Sequence, residues 1–281
     1  MTNSPDDTFT LKGADGAKLT GDVYLPGNDS PPLVIVIHGF KGFKDWGCFP
    51  WLGRRLADAG LAAACINLSH NGIGENYETF ERLDLFERDT WSKRVYDMMQ
   101  VLDAAQHGLL TDKAQPNPGR LGILGHSMGG GLALLMAAND QRVRSVVTLA
   151  GVNRANRIPM EAVTQCLHDL GHVPIENGRT GQIMRIGKEF FDELKQHGEA
   201  FDIKAAAAKI DTPWLLIQGS GDETVPLEEA QDLLSVAGEQ AKLLVIEDAT
   251  HTFGAVHPFA GVTPHLEQCS DAAIAHFKAS L

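Results

Sequence analysis

The sequence predicts an α/β fold in which helices flank a mostly parallel β-sheet. Short apolar, β-branched runs such as residues 33–37 and 61–66 are typical of strands buried on both faces. They alternate with amphipathic segments such as residues 89–106, and strands separated by helical crossovers form parallel sheets. The chain has 281 residues, of which 43% are hydrophobic, so it is long enough to bury one sizeable core.

The elements follow in a regular order. Residues 9–12 and 18–25 read as two strands joined by a turn at residues 13–16, which predicts an opening hairpin. Apolar runs predict the remaining strands at residues 33–37, 61–66, 120–124, 143–149, 213–218 and 241–246. Helical spacing of apolar residues predicts helices at residues 50–59, 89–106, 128–138, 227–236 and 264–278.

One interval interrupts this alternation. Residues 152–211 are polar and lack a convincing buried strand, whereas residues 160–170 and 188–196 read as helices. Because a structureless loop of this length is unusual, we predict a helical cap insertion in a core formed by residues 1–151 and 212–281. Its place after a central strand puts it over the carboxyl edge of the sheet, where ligands bind in open α/β sheets.

Charge and composition exclude some classes of function. The formal net charge is −12, and because binding to a phosphate backbone needs clustered Lys and Arg, we expect no nucleic-acid partner. Residues 1–7 are polar and acidic, unlike a signal peptide, and no apolar run approaches the ~18 residues that suggest a membrane span. We therefore predict a cytoplasmic protein without a membrane partner, whose four scattered cysteines are reduced thiols.

The segment Gly125-His126-Ser127-Met128-Gly129 is the most informative in the chain. It lies between a predicted strand and a predicted helix, the context of a nucleophile elbow in which a sharp turn exposes the serine hydroxyl. Glycines on either side allow the strand and helix backbones to approach closely. Ser127 is therefore a candidate nucleophile; the alternative is that it only caps the helix.

A serine nucleophile needs a base, and the base needs an orienting group. Asp222 follows the predicted strand at 213–218, and His251 follows the one at 241–246. Parallel strands bring Ser127, Asp222 and His251 to the same edge, so we predict that they act together. Asp222 is alternatively a turn residue, with Glu223 as the rival acid that we expect to point outward, and His251 is alternatively a surface histidine.

An acyl-transfer site also needs hydrogen-bond donors for the oxyanion. The loop that begins at His38 follows the most apolar strand, and we predict the backbone N–H of Phe40 as one donor and that of Met128 as the other. We expect His38 to brace this loop rather than to act as a base. We expect His126 to point toward packing, away from the reacting centre.

Other polar residues have weaker signals. His70 and Asn71 end a central strand and either line the substrate pocket or serve loop geometry alone. The insertion arginines either meet a substrate carboxylate or lie on a solvated surface; they are Arg154, Arg157, Arg179 and Arg185. His168 and His172 have a metal-capable spacing but lack the glutamate of the zinc-protease motif, and phosphate-loop and dinucleotide fingerprints are missing from the sequence. We expect neither a metal nor a cofactor.

These pieces together resemble the α/β-hydrolase superfamily across nearly the whole chain. The resemblance is carried, in the family's order, by His38-Gly39-Phe40, Gly125-His126-Ser127-Met128-Gly129, Gly221-Asp222 and His251. Within the superfamily the chain resembles small microbial serine esterases of the cinnamoyl/feruloyl esterase and dienelactone-hydrolase-like type. It differs from dienelactone hydrolases in having serine instead of cysteine, and from typical feruloyl esterases at residues 67–72.

The resemblance implies an eight-stranded sheet with a compact insert and a cofactor-independent serine hydrolase that acts on small carboxylic esters. It implies the following roles: Ser127 as nucleophile, His251 as base, Asp222 as orienting acid, and Phe40 and Met128 as oxyanion donors. A thioesterase, a peptidase or a C–C bond hydrolase would use the same residues, and a non-catalytic binding protein of this fold is a further alternative. A homodimer is compatible with the sequence, which does not determine the oligomeric state.

Overall fold

A computed structural model describes residues 3–281; Met1 and Thr2, at the start of the polar N-terminal segment, lie outside the described residues. The strands are β1 (Asp7–Lys12), β2 (Lys18–Tyr24), β3 (Pro32–Ile37), β4 (Ala62–Asn67), β5 (Asn117–His126), β6 (Val143–Leu149), β7 (His172–Glu176), β8 (Ile183–Gly187), β9 (Trp214–Gly219) and β10 (Ala241–Ile246). The α-helices are α1 (Phe49–Asp58), α2 (Leu83–Glu87), α3 (Trp91–Gln106), α4 (Met128–Asn139), α5 (Met160–Leu170), α6 (Lys188–His197), α7 (Ile203–Ala207), α8 (Leu227–Val236) and α9 (Pro264–Ser280).

Eight strands form one sheet in the order β1-β2-β4-β3-β5-β6-β9-β10. The pairs β1–β2 and β2–β4 are antiparallel, and every other neighbouring pair in this sheet is parallel. The predicted mostly parallel sheet, its eight strands and the opening hairpin are therefore confirmed. The carboxyl ends of β5, β9 and β10 lie at the same edge, so the loops that follow them are neighbours.

Helices cover both faces of the sheet because its central strands are apolar on both sides. All residues of β3 and β4 are buried. One face packs against α3 and α4, with Trp91 and Leu132 in its core. The other packs against α1 and α9, with Leu52 and Phe277 in its core. Full burial of each such side chain contributes about 1.5–3 kcal/mol, which fixes the sheet as the rigid base of the site.

The insertion between β6 and β9 is not wholly helical. Helices α5 and α6 lie where residues 160–170 and 188–196 predict them. Between them, β7 and β8 form a two-stranded antiparallel sheet that the sequence analysis did not predict. Pro174 lies inside β7, and only one residue of that strand is buried, so this strand lacks the apolar pattern by which the central strands were recognised.

The insertion is attached to the start of α3. The carboxylate of Glu193 on α6 accepts hydrogen bonds from the backbone N–H groups of Trp91 (2.8 Å) and Ser92 (3.3 Å). The indole N–H of Trp91 donates to the carbonyl oxygen of Ala155 at 3.1 Å. Lys93 pairs with Glu189 at 2.9 Å. This docking places the insertion above the carboxyl edge of the sheet.

Among residues 3–281, none of the helices combines the length and apolar character needed to cross a membrane.

Candidate active site

Ser127 occupies the tight turn between β5 and α4, with φ 56° and ψ −117°. Its backbone N–H donates to the carbonyl oxygen of Leu149 at 2.9 Å, and its carbonyl oxygen accepts from Gly130 at 2.9 Å and Val152 at 3.2 Å. A positive φ is unfavourable for a serine, so these hydrogen bonds hold a strained residue in place. The predicted sharp turn is thus present, and Ser127 lies on the wall of a cavity.

The glycines on either side of Ser127 are required by close packing. A Cβ added at Gly125 would lie 2.1 Å from the carbonyl oxygen of Gly129. A Cβ added at Gly129 would lie 2.5 Å from the carbonyl oxygen of His38 and 2.6 Å from that of Ile37. Neither position has room for a side chain, because α4 begins directly against the ends of β3 and β5.

The structure brings Ser127, His251 and Asp222 into one hydrogen-bonded chain. Nδ1 of His251 lies 2.8 Å from Oδ2 of Asp222, and Nε2 of His251 lies 3.1 Å from Oγ of Ser127. Because an ionised carboxylate only accepts, Nδ1–H of His251 donates to Asp222, which leaves Nε2 free to accept from the serine hydroxyl. This is the geometry that a serine nucleophile needs to transfer its proton to a base.

Asp222 is held as an ionised acceptor. Burial opposes its charge, but hydrogen bonds from His251 and from the N–H groups of Val225 (2.9 Å) and Thr224 (2.8 Å) outweigh that effect and lower the pKa of Asp222. Gln218 adds a further hydrogen bond at 3.0 Å. The neighbouring Glu223 is exposed, as expected for the rival acid.

The loop after β3 lies directly against the elbow. A Cβ added at Gly39 would lie 3.0 Å from Cβ of Ser127 and 3.1 Å from Nδ1 of His126. Phe40 and Met128 line the same cavity as Ser127 and His251. Within residues 3–281 no acceptor is recorded for the N–H of Phe40 or for that of Met128 at the start of α4, so both donors are available to a ligand.

Two other histidines near the elbow are not part of this chain. His38 is buried, Nδ1 donates to the carbonyl oxygen of Gly39 at 2.8 Å, and burial lowers its pKa to about 4. His126 donates from Nε2 to the carbonyl oxygen of His251 at 2.9 Å, and burial, followed by repulsion from His251, lowers its pKa to about 3. Both are therefore neutral near pH 7. His38 braces its loop, as expected, whereas the ring centre of His126 lies 4.8 Å from that of His251, so His126 does not point away from the reacting centre.

The cavity at Ser127 has a volume of about 430 Å³ and lies between the sheet edge and the insertion. Its apolar wall combines core and insertion residues: Phe40, Phe86, Trp91, Met128, Val152, Ile158, Ile175, Ile186, Phe190 and Val225. Charged side chains on the same wall are Lys41, Asp89, Arg94, Arg154 and Arg157. A partly open, largely apolar pocket with a few polar groups is typical of a small-molecule site.

His70 and Asn71 do not line this cavity, which corrects their assignment as pocket residues. Both are buried in hydrogen-bond networks beneath the sheet edge. His70 Nδ1 lies 2.9 Å from the hydroxyl of Ser69, and Asn71 donates to the side-chain oxygen of Asn67 at 3.1 Å. The end of β4 turns them toward the protein interior, so the alternative that they serve loop geometry is the one that matches their positions.

The insertion arginines divide into two groups. Arg154 and Arg157 line the cavity, and both lie close to Glu229. Arg179 donates to the backbone oxygen of Glu78 at 2.9 Å, and Arg185 lies 3.8 Å from Glu87. Only the first pair is therefore placed to meet a substrate in that cavity. In the described residues no cluster of three metal-ligating side chains is found.

Sequence reasoning missed Asp89, Trp91 and Arg94, which line the cavity at the start of α3. A signal for them was available. Arg94 lies three residues after Trp91 and four before Met98, on the apolar face of the helix. A cation on a buried helix face needs a partner, and the preceding Asp89 provides one.

Comparison with known protein families places the chain in one of them. Residues 14–268 match the family model described as "Putative esterase". The chain belongs to this esterase family.

Individual relatives of this chain are distant. It is 25% identical over 273 residues to a monoacylglycerol lipase of Mycolicibacterium smegmatis, covering 89% of this chain and 92% of the lipase. It is also 25% identical over 253 residues to an uncharacterized peptidase, YuxL, of Bacillus subtilis. That match covers 87% of this chain but only 35% of the peptidase, so the chain corresponds to about a third of that protein.

Among solved structures, the chain resembles Est1E from Butyrivibrio proteoclasticus. The TM-score is 0.71 at 20% sequence identity, over 97% of this chain and 98% of Est1E. A second structure of Est1E has ferulic acid bound, and its TM-score to this chain is 0.70 at 21% identity, over 97% and 98% of the two chains. At this level of identity the likeness concerns the fold.

Proposed function

We propose that this esterase hydrolyses small carboxylic esters through an acyl-enzyme intermediate on Ser127. The observation that carries the proposal is the hydrogen-bonded chain from Asp222 through His251 to Ser127, which ends at a cavity of about 430 Å³. Membership of an esterase family supports ester chemistry, and ferulic acid in the similar fold of Est1E supports a small organic substrate.

In the first half of the reaction, Oγ of Ser127 attacks the ester carbonyl carbon while Nε2 of His251 accepts the hydroxyl proton. The carbonyl oxygen becomes an oxyanion, which accepts hydrogen bonds from the N–H groups of Phe40 and Met128. The C–O bond to the alcohol then breaks, and His251 returns the proton to the departing alkoxide. Asp222 stabilises the imidazolium that forms between these two steps.

In the second half, water replaces the alcohol. His251 accepts a proton from water as its oxygen attacks the acyl carbon, and the same two N–H groups hold the second oxyanion. The bond from the acyl carbon to Oγ breaks, Ser127 takes back its proton, and the carboxylic acid leaves. No cofactor is needed, since every proton is transferred by His251.

The first test is Ser127→Ala. We expect turnover of short p-nitrophenyl esters to fall by about 10³-fold or more, because the nucleophile is lost. A fluorophosphonate probe should label the wild type and leave the variant unlabelled. Ser235→Ala is the matched control, because Ser235 is exposed on α8 and donates only to the carbonyl oxygen of Asp232.

The same preparation separates the acyl-transfer alternatives. A panel of esters, thioesters and peptides ranks the substrates by kcat/KM, and we expect carboxylic esters to rank first. Turnover that survives in Ser127→Ala would contradict the proposed nucleophile. Faster hydrolysis of thioesters or peptides would keep the nucleophile and change the substrate class.

A further inference from the structure

An ion pair lies on the cavity wall at the start of α3. Oδ2 of Asp89 accepts from Nε of Arg94 at 2.9 Å and from Nη2 at 2.7 Å. The side chains are 11% and 4% exposed, so the pair is almost removed from solvent. A buried ion pair gains little stability over well-packed apolar residues, because desolvation of both charges offsets their attraction. Stability alone therefore gives no reason for charged groups at this position.

Aromatic side chains fix the position of the pair. The guanidinium of Arg94 lies 4.7 Å from the ring centre of Trp91 and 5.6 Å from that of Phe190. Both rings line the same cavity, as does Phe86. The guanidinium is thus held by two rings and a carboxylate, and its orientation toward the cavity is preorganised.

Each partner keeps one polar atom for a ligand. Within residues 3–281 no hydrogen-bond partner is recorded for Oδ1 of Asp89 or for Nη1 of Arg94, and neither belongs to the buried polar atoms that lack a partner. Both atoms are therefore open to the surroundings, and both residues line the cavity. The pair thus keeps one free acceptor on Asp89 and, on the opposite edge of the guanidinium, one free donor on Arg94.

The other charged side chains on this wall either have protein partners of their own or are more exposed to solvent. Lys41 donates to the carbonyl oxygen of Glu176 at 3.1 Å. Arg157 pairs with Glu229, and Arg154, whose side chain is largely exposed, lies 3.7 Å from the same carboxylate. The pair of Asp89 and Arg94 is thus the charged group that is both nearly buried and open to the cavity.

We propose that Asp89 and Arg94 determine specificity by binding a hydroxyl group on an otherwise apolar part of the substrate. A hydroxyl can donate to Oδ1 of Asp89, the carboxylate oxygen that has no recorded partner, while Nε and Nη2 of Arg94 hold the other oxygen of the carboxylate in place. A carboxylate cannot donate and is repelled by Asp89, and a methyl group leaves Oδ1 unpaired. This inference rests on the proposed function, since it concerns the substrate of the same site.

The test uses two matched substrate series. The first consists of methyl esters of straight-chain acids of graded length that carry a methyl, a hydroxyl or a carboxylate group at the far end. The second consists of butyrate esters of straight-chain alcohols and the corresponding diols. The two series cover both ways in which an ester can lie in the cavity. For the wild type we expect kcat/KM to favour the hydroxylated member by about tenfold or more in one series.

The main variant is the double substitution Asp89→Leu with Arg94→Met, which replaces the pair by apolar residues and leaves no charge unpaired. We expect the hydroxyl preference to fall to about one or below, because no polar partner remains. The matched control is Asp140→Leu with Arg142→Met. Its ion pair (2.6 Å) does not line the cavity, so the preference should stay at the wild-type value.

A single substitution, Asp89→Asn, tests the charge separately. It removes the anion beside Arg94, so we expect the rate of the carboxylated ester to rise relative to the hydroxylated one. Wild-type ratios near one in both series would overturn the inference, as would a hydroxyl preference that survives in the double variant. A wild-type preference for the carboxylated member would assign recognition to Lys41 or Arg154 instead.

Failure of this inference is distinguishable from failure of the proposed function. If esters are hydrolysed by Ser127 without a hydroxyl preference, only the inference fails. If no ester is hydrolysed, the affinities of the hydroxylated and plain methyl esters, measured by calorimetry, test the hydroxyl preference. Equal affinities would overturn the inference. Labelling of Ser127 by a fluorophosphonate and thermal unfolding verify that each variant is folded.

Discussion

At the scale of single residues, the site stores backbone strain. Ser127 has φ 56° and Lys41, directly after Phe40, has φ 59°. Each such conformation costs about 1–3 kcal/mol for a residue with a side chain. Both residues flank the proposed oxyanion donors, so the strain positions the two N–H groups that the reaction would use.

Gly39→Ala tests this arrangement. The new Cβ would lie 3.0 Å from Cβ of Ser127 and 3.1 Å from Nδ1 of His126, so either the loop or the elbow must shift. We expect kcat for a p-nitrophenyl ester to fall by about tenfold to 10³-fold, because a displaced Phe40 N–H no longer reaches the oxyanion. Steady-state kinetics measure the effect.

The control for this substitution is Gly27→Ala. Gly27 has open space where a Cβ would be added and lies outside the cavity. The kcat of the Gly27→Ala variant should equal that of the wild type. A fully active Gly39→Ala enzyme would contradict the role given to this loop.

The sequence was informative about residues that follow strands. Ser127, Asp222 and His251 could be grouped because parallel strands end at one edge, and the structure brings their side chains together. Their catalytic role remains a proposal. Arg94 was missed because its signal depends on which helix face is buried, and that depends on packing between distant segments.

At the scale of elements, the attachment of α6 to α3 shapes the pocket. The carboxylate of Glu193 accepts the first N–H groups of α3, where the helix dipole is positive. The same first turn carries Trp91 and Arg94, both on the cavity wall. The insertion and the pocket therefore depend on the same contact.

Glu193→Gln should weaken this contact. An amide oxygen still accepts a hydrogen bond, but the favourable interaction of a charge with the helix N-terminus is lost. We expect the free energy of unfolding to fall by about 0.5–1 kcal/mol, measured by urea denaturation. Glu199→Gln is the control, since Glu199 is exposed and within residues 3–281 its carboxylate has no recorded partner. An equal loss in both variants would contradict the capping role.

Elements with strong periodicity were predictable, and short elements on the surface were not. The helices α5 and α6 match their predicted positions, whereas β7, β8 and α2 were missed. Strand β8 alternates exposed and buried residues over only five positions, and α2 has five residues. Such elements are stabilised by contacts with the rest of the protein, so their local sequence carries little information.

At the scale of the whole molecule, the sheet was predictable as a class. Apolar runs between helices required a mostly parallel sheet, but they did not specify its order. The order β1-β2-β4-β3-β5-β6-β9-β10 depends on which strands pair across long sequence separations. Once folded, this sheet buries His38 fully and His126 partly, and the pKa values of the two histidines fall to about 4 and about 3.

Neutral buried histidines make the global stability sensitive to acid. The pKa of His126 falls from 6.5 to about 3 in the folded state, mainly because of burial. Below pH 6.5 the unfolded chain therefore binds a proton that the folded protein excludes, so this histidine lowers stability as the pH falls toward 3. His126→Gln keeps a donor for the carbonyl oxygen of His251 and removes this titration.

Urea denaturation at about pH 7 and about pH 5 measures the effect. We expect the wild type to lose up to about 2 kcal/mol more than His126→Gln over this interval. His38 and Asp97, a buried carboxyl on α3 whose pKa is raised by burial to about 6, titrate in both proteins, so their contributions cancel in the comparison. Equal losses would show that His126 is not kept neutral by the fold.

The position of β10 has a consequence for the order in which parts of the protein unfold on heating. It is an outermost strand, paired in the sheet with β9 alone and partly exposed along its length, and the loop after it carries His251. Ser127 instead follows the interior strand β5. Edge strands of a sheet unfold locally at a lower free-energy cost than central strands. Gentle warming should therefore displace His251 while Ser127 is still in place, so that the proposed ester hydrolysis disappears before the chain unfolds.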